Sequence, residues 1–353
     1  MPVLHFDDPQ NAAVVPAECL SEILDFHIPN LFTTTKVAMK EALPTIISNA
    51  DGGVLREVNQ ALVALDLTAT DADIIRYLSF IGRYLPIKSY HFLHVVPYFE
   101  PTDPFFLQNV EALEKIWERN DLIVQEMDSE VSEAFADYDS IMHQYEVAAG
   151  NPLSELLKAA EAYESDLVVI GTKREDSGFG ILARNLIRKV KSSALVVPQQ
   201  VETKLETILV PIDFSGFSAN ALETAATLGS RMKKAPKLVC VHVFELPSLS
   251  VYASGTDRAK FAGAMEVQAR EAMDIFLEKF AADYPGEIMT HIIDQEGGPV
   301  APYLFDVAKM EHADLIVMGA KGHSPVERLF IGSVTERMLN INKDIPTLVI
   351  KSE

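Results

Sequence analysis

Four residues near the C-terminal end have the types and spacing to hold a phosphate chain. Gly319 closes an apolar run, Asp314-Leu-Ile-Val-Met318, Gly322 follows after two residues, and Gly332-Ser333 after nine more. Glycine lets a ligand approach backbone where a Cβ would clash, and it tolerates left-handed backbone. A serine at the start of a helical pattern can cap the helix and offer its hydroxyl to an anion. The first-turn N–H groups behind it lack intrahelical partners and favour phosphate. Lys321 and His323 stand inside the same loop; they can reach phosphates, and an ordinary solvated pair is the equal alternative. The chain has no Gly-x-x-x-x-Gly-Lys-Ser/Thr, no His-Glu-x-x-His or paired Cys-x-x-Cys, and no Gly-x-Ser-x-Gly. Those absences argue against a P-loop hydrolase, a zinc site and a serine-nucleophile elbow. The loop therefore reads as a binder without a catalytic residue, in which hydrolysis is slow or absent.

The elements that must position this loop follow from the hydrophobic pattern. From Thr207 onward, apolar runs at Thr207–Ile212, Lys237–Val243, Ile288–Ile293, Asp314–Met318 and Thr347–Ile350 alternate with helical patterns at Ser218–Lys233, Asp257–Tyr284, Val300–Glu311 and Ser333–Asn340. Such alternation predicts a parallel sheet with helices on both faces. Ligands of such sheets bind at the carboxyl ends of the strands, where strand order reverses, and Asp213, Val243 and Gly319 all fall at strand ends. Ser218 is the expected N-cap of the first of these helices.

The same unit occurs twice. Ala61-Leu-Val-Ala-Leu-Asp66 parallels Ile208-Leu-Val-Pro-Ile-Asp213, and Asp166-Leu-Val-Val-Ile-Gly171 parallels Asp314-Leu-Ile-Val-Met-Gly319. His94 to Gly150 and His242 to Gly298 are both 56 residues, and Gly150 to Gly171 and Gly298 to Gly319 are both 21. The expected organisation is an extension over 1–59, without a recognisable site, then units at 60–200 and 205–353. The polar segment Pro198–Glu206 joins them.

Composition bounds the function. A net charge of −21 argues against nucleic acid and anionic membrane as partners, because both require basic surface. Two cysteines, Cys19 and Cys240, make a disulfide framework unexpected, and Cys240 reads as a buried, inert thiol. The first thirty residues show no basic segment followed by an apolar run, and no apolar stretch is long enough to span a bilayer. The expectation is a cytoplasmic protein.

The loop, its flanking strand and the Gly-Ser-Val-Thr335 segment resemble the ATP-binding loop of the universal stress protein family, with Thr347-Leu-Val-Ile350 as the final strand. The resemblance covers about residues 60–353 and is more specific in the second half. It implies two tandem Rossmann-like domains of the adenine nucleotide α-hydrolase-like kind, each with a five-stranded parallel sheet. It implies a stress-response protein binding ATP in its second unit, with Mg2+ as an admissible companion. Pro211, Ile212 and Asp213 match the segment beside adenosine, and Val243 matches the apolar adenine contact. Met318 and Gly319 match the strand end beneath the nucleotide, and Gly322, Gly332, Ser333 and Val334 match the phosphate loop and helix start. From the residues alone, Asp213 can instead cap its turn and Val243 can be plain core. Family members dimerise through the last strand, so Ala194–Val197 is expected against Thr347–Ile350 in an intrachain pseudo-dimer. A homodimer of the whole chain and unidentified protein partners stay open.

The first unit keeps Asp66 and Gly171, but Arg174 replaces the second loop glycine and Ile181 replaces Ser333. The phosphate cradle is expected to be lost there, leaving a non-binding or altered-ligand partner. The Gly178-Phe-Gly-Ile-Leu-Ala183 segment fits a loose dinucleotide pattern but starts too far from its strand. His94 and His242 can form a catalytic pair in principle; equivalent strand-end positions in a repeat are the simpler reading. Two alternatives to the binder stand: a weak ATPase or self-phosphorylating enzyme using the same site, and a nucleotide-free interaction scaffold.

Overall fold

The computed structural model describes residues 57–97, 110–137, 141–173, 180–246, 255–322 and 331–351. The helical patterns at 17–27 and 36–43, Arg174, Gly178, His323 and the Trp117 side chain lie outside the described residues.

Ten strands form one sheet. In the first half these are β1 (Val58–Leu65), β2 (Ile87–Pro97), β3 (Met142–Gly150), β4 (Leu167–Thr172) and β5 (Ser193–Pro198). The second half supplies β6 (Thr207–Pro211), β7 (Lys237–Phe244), β8 (Ile288–Asp294), β9 (Leu315–Gly319) and β10 (Thr347–Ile350). The helices are α1 (Ala69–Ile81), α2 (Val110–Ala134), α3 (Pro152–Ala162), α4 (Ile181–Lys189), α5 (Gly216–Ser230), α6 (Gly255–Phe280), α7 (Val300–Met310) and α8 (Ser333–Ile341). Expected strand limits in the second half agree with those observed to within one residue at each end.

Strand order is β3-β2-β1-β4-β5-β10-β9-β6-β7-β8. Each half is parallel throughout, and β5 meets β10 antiparallel, with Thr347 opposite Val196 and Val349 opposite Ala194. The expected edge-to-edge pairing thus occurs within one chain. Because the junction is antiparallel, the carboxyl ends of the two halves' strands point to opposite edges of the sheet. Burial follows position. All residues of β5 and β10 are buried, whereas the outer strand β8 is intermediate throughout and β3 is partly exposed. Strands covered on both faces need continuous apolar runs, which is why Leu195-Val-Val197 and Leu348-Val-Ile350 read as they do.

One apolar core crosses the junction on the face carrying α3, α4, α7 and α8. It joins Leu156, Leu186 and Val196 of the first half to Leu209, Leu304, Met338 and Val349 of the second. Lys351 adds a polar tie: its backbone N–H donates to Ser193 Oγ at 3.2 Å, and its ammonium donates to the carbonyls of Ile187 and Val190 at the end of α4. The joining segment is more ordered than its polarity implied. Val201 and Leu205 are buried, Gln200 N–H donates to Asp73 at 2.8 Å, and Glu206 N–H donates to Asp314 at 2.7 Å.

The repeat is visible in the backbone as well. Leu67 (φ 57°) and Phe214 (φ 62°) both take the left-handed conformation just after the strand-end aspartates, and Glu164 (φ 47°) matches His312 (φ 51°). Left-handed backbone is unfavourable for such residues, so its recurrence at equivalent positions reflects one shared turn geometry.

Candidate functional site

The second-half cleft opens where β6 and β9 part. Their ladder holds at Ile208–Leu315 and Leu209–Ile316 and then stops. The equivalent ladder of β1 and β4 runs on to Ala64–Ile170. Pro211 occupies the position of Ala64, and proline has no N–H to give a ladder. Beyond β6 the chain is pinned from the other side: Ile212 N–H donates to Val241 O at 2.8 Å, and His242 Nδ1 lies 2.8 Å from Ile212 O.

Asp213 then turns the chain into α5. Its Oδ1 accepts from Ser215 N–H at 3.0 Å and from Ser215 Oγ at 2.5 Å. The N-cap of α5 is Ser215, which accepts from Ser218 N–H at 3.3 Å. Ser218 was expected in that role; the extra turn made by Asp213 and the left-handed Phe214 starts the helix earlier. Asp213 therefore orders its turn and faces the cleft at once.

On the opposite wall Met318 is buried and Gly319 follows. A Cβ at 319 would lie 2.7 Å from Phe217 Cβ and 2.9 Å from its carbonyl carbon, so glycine lets α5 approach the strand end. Gly322 sits against the Asp213 carboxylate, where a Cβ would collide with Oδ2. The far end of the loop returns through Gly332, whose N–H donates to Ala320 O at 2.7 Å, while Ala320 N–H donates to Ile350 O at 2.8 Å.

Gly332 is the N-cap of α8, with no side-chain cap, and Ser333 is the first helical residue. The expected capping by Ser333 is thus corrected. The glycine takes the extended cap conformation so that its N–H can close the loop on Ala320. The first intrahelical bond runs from Glu336 N–H to Gly332 O at 2.9 Å. The N–H groups of Ser333, Val334 and Thr335 precede it and have no intrahelical acceptor.

All ten expected site residues line one cavity of about 280 Å3: Pro211, Ile212, Asp213, Val243, Met318, Gly319, Gly322, Gly332, Ser333 and Val334. Lys321 joins them. Five lining residues were not anticipated: Ser218, Val241, Val300, Leu304 and Thr335. The spacing of Val300 and Leu304 marks one helix face, which was the available signal. Thr335 Oγ1 donates to Gly319 O at 2.9 Å, a contact between residues sixteen apart that no local pattern announces.

The first half keeps a cavity of about 380 Å3 at the corresponding strand ends, lined by Asp66, His94, Val95, Gly171, Lys173 and Gly180 among others. Lys173 Nζ lies 2.9 Å from Asp66 Oδ2. Burial pushes the Asp66 carboxyl up, but hydrogen bonds from Lys173 and Thr68 outweigh it and hold it below the usual range. Beside it, burial drives Asp71 up to about 7, although the backbone N–H groups of Asp66 and Leu67 pull the other way. Ile181, the first residue of α4, is 75% exposed. A strand-end cavity is thus present in the first half without the glycine-serine pattern.

His94 and His242 are equivalent and separate. Nδ1 of His94 lies 3.0 Å from Leu65 O, the counterpart of the His242 contact, so each ties its second strand to the first. Cys240 is fully buried and its thiol is pushed up to about 12 by burial, as expected of an inert core thiol. Among the described residues no group of His, Cys, Asp and Glu is placed to hold a metal, and no helix is long and apolar enough to cross a membrane.

The family profile described as "Universal stress protein family" matches residues 204–351. The chain carries a universal stress protein domain. A curated universal stress protein of Methanocaldococcus jannaschii is 28% identical over 151 residues, covering 42% of this chain and 84% of that protein. The solved structure of a universal stress protein from Archaeoglobus fulgidus matches with a TM-score of 0.56 and 20% identity, over 83% of this chain and 96% of that one. A functionally unknown protein from Pseudomonas aeruginosa matches with a TM-score of 0.56 and 14% identity, over 84% of this chain and 94% of that one. At those identities the structural matches speak for the fold. They extend the universal stress protein-like α/β architecture across most of the chain, in keeping with two tandem domains.

Proposed function

We propose that the universal stress protein domain at residues 204–351 binds an adenine nucleotide, ATP, in the cavity between β6 and β9, as part of a stress-response role. The observation that carries this reading is the joining in one cleft of an uncapped helix start, Gly332–Val334, with the glycine turn Gly319–Gly322 and the Asp213 carboxylate. The apolar wall of Val241, Val243, Val300 and Leu304 suits a base, and the first-turn N–H groups of α8 suit phosphates. Asp213 is the carboxylate that lines this cleft and would face the nucleoside, or an accompanying Mg2+. In the first half Arg174 stands where Gly322 does, and Ile181 stands where Ser333 does. The first half therefore serves as a partner that does not take ATP.

The test is to denature freshly purified protein, identify released nucleotide by chromatography, and titrate the stripped protein with ATP by calorimetry. A single ATP per chain is expected. Gly322→Ala drives a methyl group onto the Asp213 carboxylate and off Ser215, and should weaken ATP about tenfold. Failure of the stripped protein to bind any adenine nucleotide at millimolar concentration would overturn the reading. Two ATP per chain would overturn the assignment of the first half.

A further inference from the structure

A third concavity, of about 930 Å3, shares no lining residue with either strand-end cavity and is bordered by both halves. The first half contributes Phe80 at the end of α1 and Arg83 and Tyr84 just after it; the second contributes Arg231–Lys237 after α5; Lys204 of the joining segment lies between. Six basic side chains line it (Arg83, Lys204, Arg231, Lys233, Lys234 and Lys237) against two acidic ones, Glu206 and Glu287. The whole chain has 30 basic residues and 51 acidic ones, so the local balance is inverted relative to the protein.

Part of this charge is spent inside the fold, and Lys233 and Lys234 keep theirs for the groove. Lys237 is paired with Glu311 at 2.8 Å, and Lys204 with both Glu206 at 3.1 Å and Asp314 at 3.5 Å. Arg83 is also engaged, with Asp137 at 3.9 Å among its partners. Arg231 donates from Nη1 to Tyr84 O at 3.1 Å, which fixes the guanidinium across the two halves and leaves its other donors to the groove. Lys233 and Lys234 are exposed and have no acidic partner within 4 Å among the described residues.

The shape and the surrounding charge define the ligand. Phe80 and Tyr84 pack edge to face at 5.7 Å and 74°, so their rings brace one another and do not form a platform for successive bases. Exposed charges are screened beyond about 8 Å at physiological salt. An anion confined to the groove feels its basic lining, whereas a long strand overhanging it meets an acidic protein. Lysines act on phosphate as point charges, and a fixed arginine adds a fork. We propose that this groove binds a short multivalent phosphate chain, a linear oligophosphate or the phosphate tail of a small ester, and thereby bridges the two halves.

The probe is sodium tripolyphosphate, titrated by calorimetry into the full chain at 0.05 M and 0.15 M salt. One saturable site is expected, weaker at the higher salt. Lys233→Ala combined with Lys234→Ala should weaken it about tenfold, as should Arg231→Ala, while Lys88→Ala combined with Lys158→Ala, the same charge change elsewhere, should leave it unchanged. Circular dichroism melts of each variant confirm folding. A nucleotide matching tripolyphosphate at this site would identify the phosphate tail as the recognised group; weaker binding of the nucleotide would favour the free chain. The proposal is overturned by absence of saturable binding at 0.15 M salt, or by equal loss in the control variant. It is also overturned if Gly322→Ala abolishes binding while the lysine variant keeps it, which would move the ligand to the strand-end cavity. A single-stranded oligonucleotide binding more than about tenfold tighter than tripolyphosphate through the same lysines would equally overturn it.

Discussion

Gly319 ends β9 and Gly171 stands at the equivalent place near the end of β4, and their replacement by alanine should not cost the same. At 319 the new methyl group falls 2.7 Å from Phe217 Cβ, 2.9 Å from its carbonyl carbon and 3.0 Å from its carbonyl oxygen. Those atoms belong to the first turn of α5, so relief requires moving a helix that frames the cleft. At 171 the contacts are Thr70 Cγ2 at 2.7 Å and Ile74 Cδ1 at 2.8 Å, which are side-chain methyl groups of α1 and not backbone. Overpacking costs about 1–3 kcal/mol, and the backbone collision belongs in the upper half of that range. Gly→Ala returns about 0.4–1 kcal/mol by restricting the unfolded chain. Gly319→Ala should therefore destabilise by about 1–2.5 kcal/mol, and Gly171→Ala, in the lower half of the overpacking range, by about 0–1.5 kcal/mol. Urea denaturation followed by circular dichroism, with unchanged m values, measures both. Equal costs, or a larger cost at Gly171, would refute the claim that backbone proximity is what requires glycine at the second-half site.

Two further predictions concern pH. Burial, helped by Lys321, lowers the Lys351 ammonium from 10.5 to about 8, so between these values the folded chain holds fewer protons than the unfolded one and wild-type stability gains with rising pH. Measured against Lys351→Met, wild type should improve from pH 8 to pH 10; a constant difference would refute the burial of that charge. Asp71 is raised from 3.8 to about 7, so the folded chain holds more protons across that interval and wild-type stability falls as pH climbs through it. Asp71→Asn should gain on wild type between pH 4 and pH 8 in paired urea titrations, and a difference that stays flat would contradict the assigned burial.

Local physics made the elements legible. Apolar runs such as Leu315-Ile-Val-Met318 and Thr347-Leu-Val-Ile350 are long enough for buried parallel strands and too short for helices, so their limits were readable to within a residue. The constancy of spacing from His94 to Gly150 and from His242 to Gly298 exposed the repeat, because each copy needs the same chain length to cross the same sheet. Caps were less legible. Serines stand at 215, 218 and 333, and local preference does not say which of them begins a helix. Asp213 and the left-handed Phe214 decide for Ser215, and the Gly332–Ala320 hydrogen bond decides for Gly332.

What the sequence determined by itself was the inventory: which strands exist, which residues end them, and which glycines and which carboxylate could meet at a strand-end cleft. Tertiary structure decided what those residues touch. The early end of the β6–β9 ladder depends on long-range pairing. So do the Gly322–Asp213 contact, the Lys173–Asp66 pair and the hold of Lys351 on the end of α4. The basic groove is the clearest instance, since Arg83 and Lys204 are far in sequence from Arg231, Lys233, Lys234 and Lys237. The −21 total argued against partners with dense negative charge, because a sum over the chain carries no position. Folding places six cations around one concavity, and at a Debye length of about 8 Å it is that local field which an anion meets.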